Sequence, residues 1–310
     1  MDRGKLNSNL LLLITSIIWG FGFVAQEMGS DHLGPNAFNG TRYSVGAVCL
    51  LAILLLWHRG RAMDGFRSRD WVKASLSAGL FLFFGSLLQQ AGIGDESTGP
   101  GKAGFITGLY VVIVPLLGLG LGHRTNTQMW AGVALATVGL WLLSFNLDNE
   151  QRAIRRGDLL VFFGAFCWAA HVLVIDRFTN RVSSLHLALG QVTVCAGASW
   201  VASALAEPME LAGFRAAFLP ALYLGSMSIA VAFTMQIIGQ RKAHPTHASI
   251  IFAMEAVVGV FAGWLILHEQ LTQRELAGCL LMFCGMVLSQ LPVHLIRLGL
   301  TSRANDKPPA

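Results

Sequence analysis

The stretch His123-Arg124-Thr125-Asn126-Thr127-Gln128-Met129-Trp130-Ala131-Gly132 decides the fold, because it returns as His268-Glu269-Gln270-Leu271-Thr272-Gln273-Arg274-Glu275-Leu276-Ala277-Gly278. His123, Thr127 and Gln128 recur as His268, Thr272 and Gln273 at a shift of 145, and Gly132 and Gly139 as Gly278 and Gly285 at 146. Further out, Trp19 and Arg42 map onto Trp168 and Gln191, both at a shift of 149. The repeat is built of apolar stretches at about 9–28, 36–57, 73–91, 102–121, 129–145, 158–176, 185–205, 217–238, 247–267 and 275–292. Each is close to the ~20 residues that a helix rising 1.5 Å per residue needs to cross ~30 Å of hydrocarbon. The expected fold is an all-α membrane protein of ten transmembrane helices, arranged as two five-helix repeats over 9–145 and 158–292. A unit of five crossings is odd, so its second copy enters the membrane from the opposite face. Inverted repeats of this kind mark secondary transporters, whose substrate site lies near the midplane between the halves.

The composition agrees. Of 310 residues, 54% are hydrophobic and only 13% charged, against roughly 25% charged in a soluble domain. The net charge of +5 forms no continuous basic face, which argues against nucleic acid as a partner. In a membrane protein the sidedness of Lys and Arg carries more information than their sum. With the N-terminus inside, the inner segments hold fifteen of them, among them Arg59, Arg61, Arg67, Arg69 and Lys73, and the outer loops hold six. That bias places both termini in the cytoplasm and the chain in the cell (inner) membrane. The 146–157 loop, with Arg152, Arg155 and Arg156 outside, runs against it. Residues 301–310, polar and Pro-rich at their end, read as a disordered tail. Arg3 and Lys5 could open a cleavable signal, but no small-x-small site follows the first apolar run, which reads as the first membrane helix. Cys49, Cys167, Cys195, Cys279 and Cys284 sit inside apolar runs without a C-x-x-C pair and read as helix-packing residues.

Several stretches resemble the EamA-type families of the drug/metabolite transporter superfamily. The first span carries Trp19-Gly20 and Phe23-Val24-Ala25, followed by Pro35 and Arg42. The fourth reads Ala103-Gly104-Phe105-Ile106-Thr107-Gly108-Leu109-Tyr110, then Val114-Pro115-Leu116. Glu255, Leu267-His268-Glu269-Gln270-Leu271-Thr272 and Gly278 are similar to the family's L-G-E-x-L-T … G signature. His268 replaces the usual Gly, Arg124 stands where an acid is frequent, and Ala256 stands where Pro is common. The resemblance implies a ten-helix inverted-repeat fold, both termini cytoplasmic, and transport, often export, of small metabolites.

Depth singles out the polar candidates. Trp19 and Trp168 each lie about ten residues into a helix, ~15 Å deep, although tryptophan prefers the interfaces. Followed by small Gly20 and Ala169, they read either as a cavity wall, with Phe23 beside them, or as packing of two helices. Glu255 lies ~13 Å deep, and its repeat mate is Tyr110. A carboxylate facing lipid there costs ~2.5–3.5 kcal/mol, so it should face the bundle interior. It is read as a proton carrier, with a structural hydrogen bond as the alternative. Arg42 and its mate Gln191, cavity candidates together with Trp19, Phe23, Tyr110, Trp168, His171 and Glu255, lie about six residues inside their helices. The favoured fate of Arg42 is snorkelling to the outer surface; the alternatives are attracting a substrate carboxylate or pairing with Glu27. Gln89, Gln90 and Gln236 read as hydrogen-bonding glue between helices, and His171 as a group that titrates or hydrogen-bonds. Asn39 and Tyr43 are weaker candidates. Gly132/Gly139 and Gly278/Gly285, seven apart, read as packing faces.

Enzymatic readings find little support. His268-Glu269-Gln270-Leu271-Thr272 lacks the second histidine of a zinc protease, and Gly99-Pro100-Gly101-Lys102-Ala103 lacks phosphate-loop spacing. His244 and His247 read as a solvated loop pair. No cofactor, metal or nucleotide is expected, so transport would run on a gradient, with protons as one candidate driving ion. The expectation is an exporter of small metabolites, amino acids or related compounds among them. Uptake and a non-transporting membrane scaffold are the alternatives.

Overall fold

The computed structural model describes residues 3–58, 68–95, 98–144, 155–208, 210–266 and 272–290, and the regular structure among them is helical throughout. The first half comprises α1 (Arg3–Ser30), α2 (Pro35–His58), α3 (Arg69–Ile93), α4 (Gly99–Gly108), α5 (Tyr110–Gly120) and α6 (Thr127–Ser144). The second comprises α7 (Arg156–Phe178), α8 (Ser184–Ala206), α9 (Leu211–Ala216), α10 (Phe218–Tyr223), a π-helical segment (Leu224–Ala232), α11 (Phe233–Gln240), α12 (Pro245–Phe252), α13 (Met254–Ile266) and α14 (Gln273–Gln290). The expected tail 301–310 and the motif Leu267-His268-Glu269-Gln270-Leu271 lie outside the described residues.

Among the described residues, eight helical spans are long and apolar enough to cross a membrane, α4–α5, α10–α11 and α12–α13 each counting as one, and Thr127–Leu143 is a shorter apolar helix. α14 is not among the eight, because Gln273, Arg274 and Glu275 occupy its first turn. Its start is held by a capping box: the Glu275 N–H donates to Thr272 Oγ1 at 3.2 Å and the Thr272 N–H to Glu275 Oε2 at 2.7 Å. Exposure is inverted relative to a water-soluble bundle. Leu205 and Leu56 are 82% and 80% exposed, whereas Asn39, Gln191 and Gln236 are fully buried. Apolar side chains outside and polar ones inside are what a hydrocarbon solvent demands. This is a multi-pass membrane protein.

The two halves pack by a shared pattern. A Cβ added at Gly225 would lie 2.5 Å from Val45 Cβ and 2.7 Å from the Arg42 carbonyl; one at Gly79 would lie 2.5 Å from Val194 Cβ and 2.9 Å from the Gln191 carbonyl. The same substitution of partners, 149 residues along, recurs where Gly239 approaches Leu12 and the Ser8 carbonyl and Gly92 approaches Val161 and the Gly157 carbonyl. Equivalent helices also meet each other. On α2 and α8, Asn36 bonds Glu207 and Ser44 bonds Trp200, so residue numbers fall on one helix as they rise on the other. On α6 and α14, Gly132 faces Gly285 and Gly139 faces Gly278. Both pairs are therefore antiparallel.

Two of the expected spans are broken, and at matching places. The fourth breaks at Leu109, whose N–H bonds back to Ile106 (3.2 Å) and whose carbonyl accepts from Val112 (3.0 Å). These are i, i+3 bonds that tighten one turn. Pro115, inside α5, denies the Val111 carbonyl its usual donor one turn later. The ninth breaks at Ala253, whose carbonyl accepts from Ala256 at 3.1 Å, without a proline. The eighth widens into the π-helical segment, a feature frequent beside functional sites.

Candidate functional site

The breaks at Leu109 and Ala253 sit beside Tyr110 and Glu255. The Tyr110 hydroxyl donates to Glu255 Oε1 at 3.0 Å. These two are repeat mates, and a residue can touch its own mate only where the axis relating the repeats passes between them. For inverted repeats that axis lies in the membrane plane. Contact between the mates thus places Tyr110 and Glu255 beside the axis that relates the two halves, by an argument independent of counting residues from a helix end.

Around this pair lies a cavity. Trp19, Phe23, Arg42, Tyr110, Trp168, His171 and Glu255 all line it. The two tryptophans face a common ring. Phe233 lies 5.2 Å from Trp19 and 6.4 Å from Trp168, centroid to centroid, nearly parallel to the latter. His171 stands edge-on to both Trp168 (6.0 Å) and Phe233 (5.7 Å). Trp19 is oriented by its Nε1, which donates to the Ser228 carbonyl in the π-helical segment at 3.2 Å. The indole is thus fixed by a carbonyl from the irregular part of the opposite repeat.

Gln191, expected on the wall, does not line the cavity. It stands behind His171 and meets His171 Nε2 through its Oε1 at 2.8 Å. Arg42 does not snorkel. It is 4% exposed, lines the cavity, and donates from Nε to Asn39 Oδ1 at 2.9 Å. Its guanidinium carbon lies 5.2 Å from the Tyr43 ring centre and 5.7 Å from that of Phe38. The reason is packing: α2 lies against α8 and the π-helical segment, and Arg42 is buried in that bundle. No pairing with Glu27 brings a carboxylate within 4 Å of it among the described residues.

The glutamines divide. Gln89 donates to Gln26 Oε1 (3.2 Å) and Gln90 to the Gln26 carbonyl (3.0 Å), tying α3 to α1. Gln236 differs: neither its Nε2 nor its Oε1 has a partner, and it lines the cavity. Trp168 Nε1 and Thr107 Oγ1 on the same wall are likewise unpaired. The histidines of the 241–247 segment are not a solvated pair. His247 is buried between Ser289 Oγ (3.0 Å) and Asn9 Oδ1 (3.1 Å). His244 caps α12 through a bond from the Thr246 N–H, and burial beside His123 holds its pKa below the usual histidine range.

Phe233, Phe252 and Gln26 line the site without having been singled out by sequence. Phenylalanines in an apolar run carry no signal of their own. Gln26 had one, as an amide deep in the first span.

A family model described as the EamA-like transporter family matches the chain twice, over residues 6–145 and 155–291. Among similar proteins is the uncharacterized transporter YoaV of Bacillus subtilis, 24% identical over 90% of this chain and 94% of that protein. Another is the uncharacterized inner membrane transporter YedA of Escherichia coli, 28% identical over 84% and 82%. A probable amino-acid metabolite efflux pump of Salmonella typhimurium is 22% identical over 90% and 93%. One crystal structure, described only as that of a protein, shares the fold with a TM-score of 0.73 at 18% identity, over 97% of this chain and 99% of the other.

Proposed function

The chain belongs to the EamA-like transporter family, and on that premise we propose that it is a secondary active transporter that exports small metabolites by alternating access. Ten crossings in two inverted repeats, with both termini in the cytoplasm of the inner membrane, complete the reading. α14 serves as the tenth helix, since it is the repeat equivalent of α6 and runs the same 18 residues beside it. The Lys and Arg bias supports the orientation, and antiparallel contact between equivalent helices supports the inversion. Amino acids or related compounds are the favoured cargo, in line with the name of the Salmonella relative.

The observation that carries this reading is the cavity around the contact between repeat mates. It is walled by both repeats and holds polar atoms with no partner, at the depth where hydrocarbon makes unpaired polar groups costly. A scaffold has no use for such a void, and a packed centre would be more stable. Broken helices at the midplane, as at Leu109 and Ala253, are the parts from which transporter sites are built. Glu255 is the only carboxylate among the described residues of the wall, and we assign it proton coupling. The donor from Tyr110 holds one oxygen, and the other is left for exchange as the repeats rock.

The test is Glu255→Gln, which keeps the shape and removes the titration. In reconstituted vesicles the variant is expected to lose accumulation driven by a pH gradient while sparing downhill exchange. A variant that still accumulates substrate on a pH difference alone makes Glu255 structural.

A further inference from the structure

Arg42 is a buried cation without a counter-ion among the described residues. A guanidinium does not lose its proton in a protein, and a charge at this depth is costly unless something compensates it. Its Nε is committed to Asn39, which fixes the plane of the fork, and two aromatic faces flank it. No carboxylate of the described residues lies within 4 Å of it. The single carboxylate of the wall, Glu255, already accepts from Tyr110.

The repeat offers an internal control. Gln191, the mate of Arg42, occupies the same packing position: Gly79 rests on its carbonyl as Gly225 rests on that of Arg42. There the fold is served by a neutral amide bonded to His171. The cation is thus not a requirement of the packing. It is present in only one of the two halves, and there it lines the cavity. The other unpaired wall groups add donors, Trp168 Nε1 and Gln236 Nε2. The same cavity is lined by the aromatic side chains of Trp19, Phe233 and Phe252, packed on one another.

We propose that Arg42 is an anion subsite and that the cargo is a small monocarboxylate with an apolar body, its carboxylate on the guanidinium and its body against the Trp19–Phe233 aromatic wall. A planar carboxylate matches the fork bidentately. One cation neutralises one negative charge, so a dianionic phosphate would bring an excess charge into a site that already holds Glu255. The proposal rests on the transporter reading for the word cargo, but binding can be measured without transport.

The experiment uses the full chain in lipid nanodiscs and follows tryptophan fluorescence on titration with matched probes. These are 3-phenylpropanoate against 3-phenylpropanamide, 4-methylpentanoate against 4-methylpentanamide, and 2-phenylethylphosphonate. The carboxylates are expected to bind at least ~10-fold more tightly than their amides and than the phosphonate. Arg42→Gln, which installs the residue of the other repeat, is expected to weaken the carboxylates by roughly 10- to 100-fold, the usual range for a lost charge-assisted bond, and to abolish the preference. Arg42→Lys retains the charge without the fork and should fall between. Equal binding of acids and amides, tighter binding of the phosphonate, no binding of either acid, or a preference that survives in Arg42→Gln overturns the proposal. If the variants do not fold, the wild-type comparison alone decides. Counterflow of the same compounds in vesicles separates the two readings. Selective binding of the acids without counterflow removes the transport reading and leaves the subsite; counterflow indifferent to charge does the reverse.

Discussion

Replacing Gly139 or Gly278 by alanine should destabilise the bundle through one seam and, in combination, should cost little more than either alone. A Cβ built at Gly139 lies 2.6 Å from the Gly278 carbonyl oxygen, and one at Gly278 lies 2.6 Å from that of Gly139. Both obstacles are backbone and cannot swing away. α6 and α14 must therefore separate by roughly 0.5–0.8 Å to restore ordinary contact, and a gap of that size forfeits a quarter to a half of the dispersion energy across it. Lipid supplies no hydrophobic drive between helices, so packing is what the seam depends on. The expected loss for either single variant is about 1–3 kcal/mol, as for other overpacked sites. Once the first methyl has opened the seam, the second meets no new obstacle. The double variant should then lie within ~1 kcal/mol of the worse single, a strong departure from additivity. Gly197→Ala is the control: nothing lies within 4 Å of its Cβ position on α8, so it should be neutral or stabilising by up to about 1 kcal/mol from helix propensity. Reversible unfolding in mixed detergent–SDS micelles measures all four. Unchanged stability in the single variants, or a double variant that loses the full sum, would refute the reasoning.

Gln236→Leu removes a buried amide with no partner at either atom; it should raise stability by about 1 kcal/mol, since an unpaired buried polar group costs ~1–3 kcal/mol, while lowering transport. A variant both less stable and fully active would mean the amide is paired and serves the fold. Single cysteines at Ser68 and Glu210, both exposed, in a chain lacking the native five, should differ in labelling by an impermeant reagent on intact cells, with position 210 reacting. Preferential reaction at position 68 would reverse the proposed orientation.

Sequence reached those features of the protein that depend on distance along the chain. Runs of ~20 apolar residues show where helices lie, because the bilayer has one thickness. The 145–149 residue repeat names equivalent positions, so Trp19 with Trp168 and Tyr110 with Glu255 could be paired and assigned a depth before any contact was known. Direction around each helix was not available in the same way. In water a helix is apolar toward the core and polar outward, and the pattern reveals its inner face. Here both faces are apolar, one against lipid and one against neighbouring helices, so rotation about the axis leaves little trace in sequence. That is why depth favours snorkelling for Arg42, a cavity candidate that does line the wall. For the same reason Gln191 was expected on the wall and stands behind it, and Gln236 could not be told from the paired Gln89. Phe233, one phenylalanine among nineteen, became a site residue only when the π-helical segment and α11 set it between two tryptophans. The breaks at Leu109 and Ala253 are tertiary as well. One has a proline a turn and a half beyond it and the other has none, so the shared cause lies in how the two halves meet at their axis.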